Sequence, residues 1–140
     1  MTLTDAGAIV ALLDEDDPYH TRCVRTSGEL PPGLLTTWPC FTEAMYLLGK
    51  AGGYTYQAQL WSLRRRGFLS LHDLSGKETD RAAELMEKYR DTPMDLADAS
   101  LMVTAETQGL RRIFTLDHHF RIYRLRGGLA LEMVPESAKG

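Results

Sequence analysis

The stretch Asp95–Phe120, DLADASLMVTAETQGLRRIFTLDHHF, decides the fold. Its first half places Leu96, Ala99, Met102, Val103 and Ala105 mostly on inward positions, which predicts a helix over residues 95–107. Gly109 follows as a C-terminal cap, because a glycine takes the left-handed conformation that ends a helix without steric cost. Arg112–Leu116, RIFTL, then reads as a buried strand that stops at Asp117. A helix that runs through a short turn into an apolar strand is the closing half of a β-α-β unit.

Working outward, the same alternation recurs. Thr2–Asp5 is β-compatible and leads into an apolar helix over Gly7–Leu13, which the acidic turn Asp14–Pro18 breaks. A helix over Tyr19–Ser27 ends before Leu30-Pro-Pro-Gly33. Leu34–Thr37 reads as a second strand, stopped by Pro39. Cys40–Leu48 and Thr55–Arg66 read as two helices separated by Gly49–Gly53. Phe68–Leu71 is a third strand, Lys77–Tyr89 an amphipathic helix, and Ala130–Val134 a fifth strand. Strands alternating with helices of this length imply an α/β fold in which helices cover both faces of a mainly parallel sheet. Residues 1–140 are expected to form one domain, with no internal repeat or linker.

Composition excludes several classes. With 44% hydrophobic and 25% charged residues the chain is globular in character, neither disordered nor fibrous. No apolar run is long enough to cross a bilayer, and no basic segment precedes the first apolar stretch, so neither a membrane anchor nor a signal peptide is expected. Cys23 and Cys40 match neither a disulfide framework nor a zinc-ligand spacing, which fits reduced thiols in a cytoplasmic protein. A net charge of −3 argues against nucleic-acid binding by bulk charge.

In parallel sheets ligands bind beyond the carboxyl ends of the strands. That rule picks out Asp5 after the first strand and Asp117 after RIFTL. Glu43 lies in the helix after the second strand, and Asp98 in the first turn of the helix that precedes RIFTL, with Asp95 three residues earlier on the same face. Carboxylates gathered without a cation repel one another, and burying them is costly. Hard divalent cations resolve that conflict, since Mg²⁺ and Mn²⁺ prefer oxygen ligands and bridge to phosphate. Taken alone, each Asp serves equally well as a helix cap or a solvated group.

Three stretches together carry a family resemblance: LTDAGAIVALLDEDDPYH, LTTWPCFTEAMYLL and DLADASLMVTAETQGLRRIFTLDHHF. Their order and spacing resemble the PIN-domain family, and most closely the small VapC-type toxins of bacterial toxin–antitoxin pairs, from Leu3 to Val134. The resemblance implies a three-layer α/β/α sandwich with a central, mainly parallel sheet and Mg²⁺- or Mn²⁺-dependent cleavage of single-stranded or loop RNA. Carried over residue by residue, the family's acidic quartet falls on Asp5, Glu43, Asp98 and Asp117. Asp5 and Asp98 would be direct metal ligands. Asp117 would hold a second metal or its water shell, and Glu43 would bind metal or orient the attacking water. Thr115 matches a hydroxyl that the family places near the site. The chain departs from the pattern in its short first strand and in Asp95, which competes with Asp98 for the third carboxylate; the Asp-Ala-Ser match favours Asp98 and leaves Asp95 as a helix cap or outer-shell group.

The resemblance also implies an RNA substrate, a cognate antitoxin that inserts a segment near the acidic groove, and a homodimer. Hydrolysis by metal-activated water would leave a 5′-phosphate and a 3′-hydroxyl. Two rivals remain open at this point: a catalytically silent PIN module that binds RNA or protein, and a housekeeping RNA-processing nuclease. Arg121 and Arg124, just after Asp117, are the arginines expected to touch RNA phosphates. His20 is expected to pack or cap, and His118 and His119 to be structural or weak substrate contacts. The acidic run Asp14–Asp17 lacks the central Gly and late Glu of a calcium loop and is expected to be a solvated turn. Phosphotransfer folds fail on detail, because Gly7 stands where a dehalogenase-like phosphatase needs a second Asp, and no Gly-x-Ser-x-Gly elbow is present.

Overall fold

Thr2–Thr4 (β1) is a buried strand, and Asp5 at its end caps the helix that follows, Ala6–Leu13 (α1), by accepting the Ala6 N–H at 2.8 Å. This is a computed structural model, and it describes residues 1–136. The last four residues of the expected 1–140 domain lie outside the described part. After α1 come His20–Glu29 (α2), Leu34–Thr37 (β2), Trp38–Arg65 (α3), Leu69–His72 (β3), Gly76–Lys88 (α4), Leu96–Gln108 (α5), Arg112–Phe114 (β4) and Glu132–Val134 (β5). A short 3-10 turn, His118–Arg121, follows β4.

The five strands form one sheet in the order β3-β2-β1-β4-β5, with every neighbouring pair parallel. Leu3 stands opposite Leu35 on one side and Ile113 on the other. The chain therefore builds outward from β1 to β3, returns, and builds from β4 to β5 in the other direction. The reversal lies between β1 and β4, where parallel α/β sheets open a crevice for ligands.

Strand alternation splits the interior. Ile113 joins the larger apolar cluster with Leu3, Leu35, Phe41, Leu101 and Met102, whereas its neighbour Phe114 packs with Ala8, Ala11 and Cys23 in a smaller one. Helix α5 is buried from Ala97 to Ala105, the pattern of a central helix rather than a surface one. Two of its hydroxyls find acceptors within the helix: Ser100 donates to the Ala97 carbonyl at 2.7 Å and Thr104 to the Ser100 carbonyl at 2.7 Å. Truncating a fully buried residue such as Leu101 to alanine removes about 2–5 kcal/mol.

Most expected elements stand within a residue or two of their sequence positions, and Gly109 caps α5 at φ 68°. The middle of the chain differs. The helix after β2 starts at Trp38, with Pro39 in its first turn, where the missing N–H is no loss. It does not stop at Gly49 but runs on to a single non-helical residue, Gly53, at φ 66° and ψ −157°. That conformation is open essentially to glycine alone. The second segment then turns back so that the Gln57 amide donates to the Met45 carbonyl at 3.2 Å. A Cβ at Gly49 would lie 2.5 Å from Gln57 Nε2, so a larger residue there would displace the Gln57 amide. The acidic run Asp14–Asp17 is a turn closed by its own carboxylates: Asp14 accepts the Asp16 N–H at 3.0 Å and Asp17 accepts the Tyr19 N–H at 2.8 Å.

Candidate metal centre

Three carboxylates meet at the reversal point: Asp5, Asp98 and Asp117 each offer an oxygen, and these oxygens lie within 4.8 Å of one another. Each arrives by a different local rule. Asp5 is the N-cap of α1, directly beyond β1, and its own N–H donates to the Phe114 carbonyl at 2.9 Å, which ties it to β4. Asp98 is the third residue of α5 in a capping box with Asp95: Asp95 Oδ1 accepts the Asp98 N–H at 2.8 Å, and Asp98 Oδ2 accepts the Asp95 N–H at 3.3 Å. Asp117 caps the 3-10 turn after β4, with Oδ1 accepting the His119 N–H at 2.9 Å.

Around the cluster runs a cavity of about 290 Å³ lined by Asp5, Ala6, Gly7, Glu43, Asp95, Asp98, Leu116 and Asp117. Beyond Asp98 and Asp117 a second cavity, of about 340 Å³, continues past Pro93, Met94 and His119. Glu43, on α3, and Asp95 are both exposed and stand at the rim rather than within the cluster of three. The Asp95 that competed with Asp98 in sequence is the N-cap of α5, and Asp98 is the buried member of that pair.

The electrostatics follow from burial. Asp5 is pushed up to about 6 by loss of solvent, with Asp117 and Glu43 adding repulsion, against the opposing bonds from Thr115 and the Ala6 N–H. Asp98 is pushed up to about 7 by burial and by its neighbours Asp95 and Asp5. Burial, with Asp95 and Asp117, raises Glu43 as well. The Cys40 thiol, beneath the site, is driven up to about 12 by burial and by Asp5, so it is an inert core group.

Three further side chains bond the clustered aspartates. Thr115 Oγ1 donates to Asp5 Oδ2 at 2.9 Å and accepts the Asp117 N–H at 3.0 Å. The buried Tyr123 hydroxyl, which lies against the Pro93 carbonyl, is 3.3 Å from Asp98 Oδ2. The His119 ring meets Asp117 Oδ1 at 2.7 Å. The sequence does not single out Tyr123, and His119, expected to be structural or a weak substrate contact, proves to be a partner of Asp117. The signal for His119 was present in its position two residues after a strand-end Asp, the spacing of an Asx turn. Tyr123 carried none, because only the folded turn brings it back to α5.

Elsewhere, His20 Nδ1 lies 2.7 Å from the Ala11 carbonyl, a packing contact between α1 and α2. Arg121 and Arg124 are exposed, and the Arg124 guanidinium turns back to donate to the Tyr123 carbonyl at 3.1 Å and to the Arg121 carbonyl.

The donor set fits a hard divalent cation. All three converging ligands are carboxylates, and among the described residues no Lys or Arg forms an ion pair with Asp5, Glu43, Asp98 or Asp117. Their mutual repulsion is left for a bound ion to relieve.

A parallel α/β sheet with an all-carboxylate cluster at its reversal point defines a class of proteins with an acidic, cation-ready centre. The chain belongs to the PIN domain family, whose model matches residues 2–125. Among curated proteins it is similar to Ribonuclease VapC26 of Mycobacterium tuberculosis (strain ATCC 25618 / H37Rv), at 27% identity over 137 residues, 95% of this chain and 99% of that protein. Among solved structures it is similar to VapC20 of Mycobacterium tuberculosis, described as a Sarcin-Ricin loop cleaving toxin, with a TM-score of 0.82, 17% identity, and 94% and 99% of the two chains covered. VapBC2 from Rickettsia felis, solved bound to a DNA fragment from its promoter, matches at a TM-score of 0.66 and 14% identity over 94% of this chain and 97% of that one. A toxin–antitoxin complex from Klebsiella pneumoniae matches at 0.65 and 17%, over 84% and 87%. At these identities the structural likenesses concern the fold, and they agree with the parallel five-stranded sheet and its helical layers.

Among the described residues no helix is long and apolar enough to cross a membrane.

Proposed function

We propose that the protein is a divalent-metal-dependent endoribonuclease that cleaves single-stranded or loop RNA and acts as the toxin of a toxin–antitoxin pair in the cytoplasm. The observation that carries this reading is the cluster of Asp5, Asp98 and Asp117 at the β1–β4 reversal of a PIN-domain sheet. The curated relative named as a ribonuclease spans nearly the same length and supports the activity. The neighbour described as a toxin–antitoxin complex supports an antitoxin partner. A homodimer and a nuclease domain spanning residues 1–140 are part of the same proposal.

Asp5, Asp98 and Asp117 would hold Mg²⁺ or Mn²⁺, with Glu43 and Asp95 in outer positions. When bound, such an ion supplies positive charge to the phosphodiester and acidifies water for in-line attack. The protein's own share is positional. Thr115 fixes Asp5, and the capping box fixes Asp98. Glu43, exposed at the rim, would bind metal or orient the attacking water. Arg121 and Arg124 would contact the RNA backbone beyond Asp117.

The test is cleavage of a 5′-labelled RNA panel by wild type and by Asp98→Asn, in EDTA, Mg²⁺ and Mn²⁺. Metal-dependent cleavage by wild type that leaves 5′-phosphate ends and vanishes in the variant supports the reading. Failure of wild type to bind metal by calorimetry, together with absent cleavage, would sink it.

A further inference from the structure

The turn after β4 holds a histidine that the carboxylate cluster alone does not account for. Asp5 and Asp98 are buried, whereas the Asp117 side chain is 35% exposed. The three are also restrained differently. Both oxygens of Asp5 accept protein donors, the Ala6 N–H and the Thr115 hydroxyl. Asp98 Oδ2 sits between the Asp95 N–H and the buried Tyr123 hydroxyl.

The Asp117 carboxylate depends on one residue for its hold. His119 brings its backbone N–H to Oδ1 at 2.9 Å and its ring Nδ1 to the same oxygen at 2.7 Å. An ionised carboxylate only accepts, so the ring carries its proton on Nδ1 in this pair. Among the described residues Oδ2 has no protein donor, which leaves it as the oxygen open to a cation. A half-exposed aspartate otherwise samples several rotamers, and ordering it on binding would weaken any ligand it holds.

We propose that His119 is the positioning residue of the metal centre, its Nδ1–H locking Asp117 in the rotamer that presents Oδ2 to a divalent cation. The proposal rests on the metal-dependent reading above. The His119 ring is 44% exposed and lines the cavity beyond Asp117, so its loss leaves the apolar core intact. The backbone N–H bond is available to both Ala and Asn at this position, which isolates the contribution of the ring. Metal-bound carboxylates held by such second partners commonly lose 10–100-fold in metal affinity when the partner is removed.

The experiment is calorimetric titration of the full chain with Mn²⁺ alone, on wild type, His119→Ala, His119→Asn and the exposed neighbour His118→Ala as control. His119→Ala is expected to weaken Mn²⁺ binding by about 10–100-fold with the metal-free melting temperature unchanged. His119→Asn, whose amide N–H can stand in for Nδ1–H, is expected to recover most of that loss, and His118→Ala to bind as wild type. Wild-type affinity in His119→Ala overturns the proposal, as does an equal loss in the Ala and Asn variants, because then the hydrogen bond is not the agent. A wild type that binds no Mn²⁺ overturns the metal-dependent reading itself, an outcome distinct from both.

Discussion

The Thr115 hydroxyl donates to Asp5 Oδ2 at 2.9 Å across the β1–β4 junction, and Thr115 Oγ1 accepts the Asp117 N–H at 3.0 Å. One buried side chain thus holds the Asp5 carboxylate and the Asp117 backbone in register. Thr115→Val keeps the volume and removes both bonds, leaving a backbone N–H unpaired beside a buried carboxylate. The expected outcome is a loss of about 1–3 kcal/mol in urea unfolding and at least about tenfold weaker Mn²⁺ binding. Thr115→Ser should restore both.

Asp98 is buried and pushed up to about 7 by burial, Asp95 and Asp5, so its ionised form opposes folding when no cation is present. Asp98→Asn removes that charge and keeps an oxygen for the Asp95 N–H. At pH 8 in EDTA the variant should melt higher than wild type, while RNA cleavage falls to background. A lower melting temperature would contradict the repulsion argument.

The same shifts set the pH dependence of the metal-free protein. Asp5 and Asp98 titrate near 6 and 7 when folded, above the ordinary aspartate value of 3.8, so the folded chain retains protons that the unfolded chain releases. These two groups therefore contribute most to stability below about pH 4, and that contribution declines as pH rises to about 7. At about 1.4 kcal/mol per pKa unit, the two shifts together bound the decline at several kcal/mol. Chemical denaturation from pH 5 to pH 8 in EDTA measures it, and Mg²⁺ should restore stability at the upper end by binding only the folded chain.

Glu78 behaves in the opposite sense. Burial pushes its carboxyl up, but bonds from the Ser75 N–H at 3.0 Å, the Thr107 hydroxyl at 2.6 Å and His72 Nε2 at 2.9 Å outweigh that and hold it at about 2. Its contribution is present above the ordinary glutamate value of 4.5 and is lost as pH falls through about 2. Glu78→Ala should cost about 1–3 kcal/mol in urea unfolding, because three partners lose their acceptor. Mn²⁺ affinity should not change, since Glu78 serves the α4–α5 packing and not the acidic centre.

How far the fold was legible depends on how local its determinants are. Leu34–Thr37 was read at its observed limits because a four-residue apolar and β-branched run is flanked by glycine and proline. Asp95 and Asp98 were placed on one face because helical spacing fixes it. The α3 break, expected across Gly49–Gly53, falls at Gly53 alone, because a run of glycines does not show which of them takes the non-helical conformation. The positions of Asp5, Asp98 and Asp117 came from strand ends and family motifs. Their partners Thr115, His119 and Tyr123 act through hydrogen bonds whose directions only the folded turn after β4 determines. Spacing can bring such residues near a site, but it cannot show which carboxylate oxygen each one occupies.

The neighbour relation of β1 and β4 also fixes a timetable. Leu3 pairs with Ile113, so the first strand to leave the ribosome waits for almost the last before its inner edge is covered. Until then Asp5 lacks both its backbone bond to Phe114 and its hydroxyl from Thr115, and no Asp117 is present to close the cluster. A nascent chain that already carries Asp5, Glu43 and Asp98 therefore lacks the complete cluster, and an acidic centre spread over such a sequence distance assembles only with slow, long-range strand pairing. If the chain is the ribonuclease proposed above, its order of synthesis withholds the acidic centre until β4 has been made.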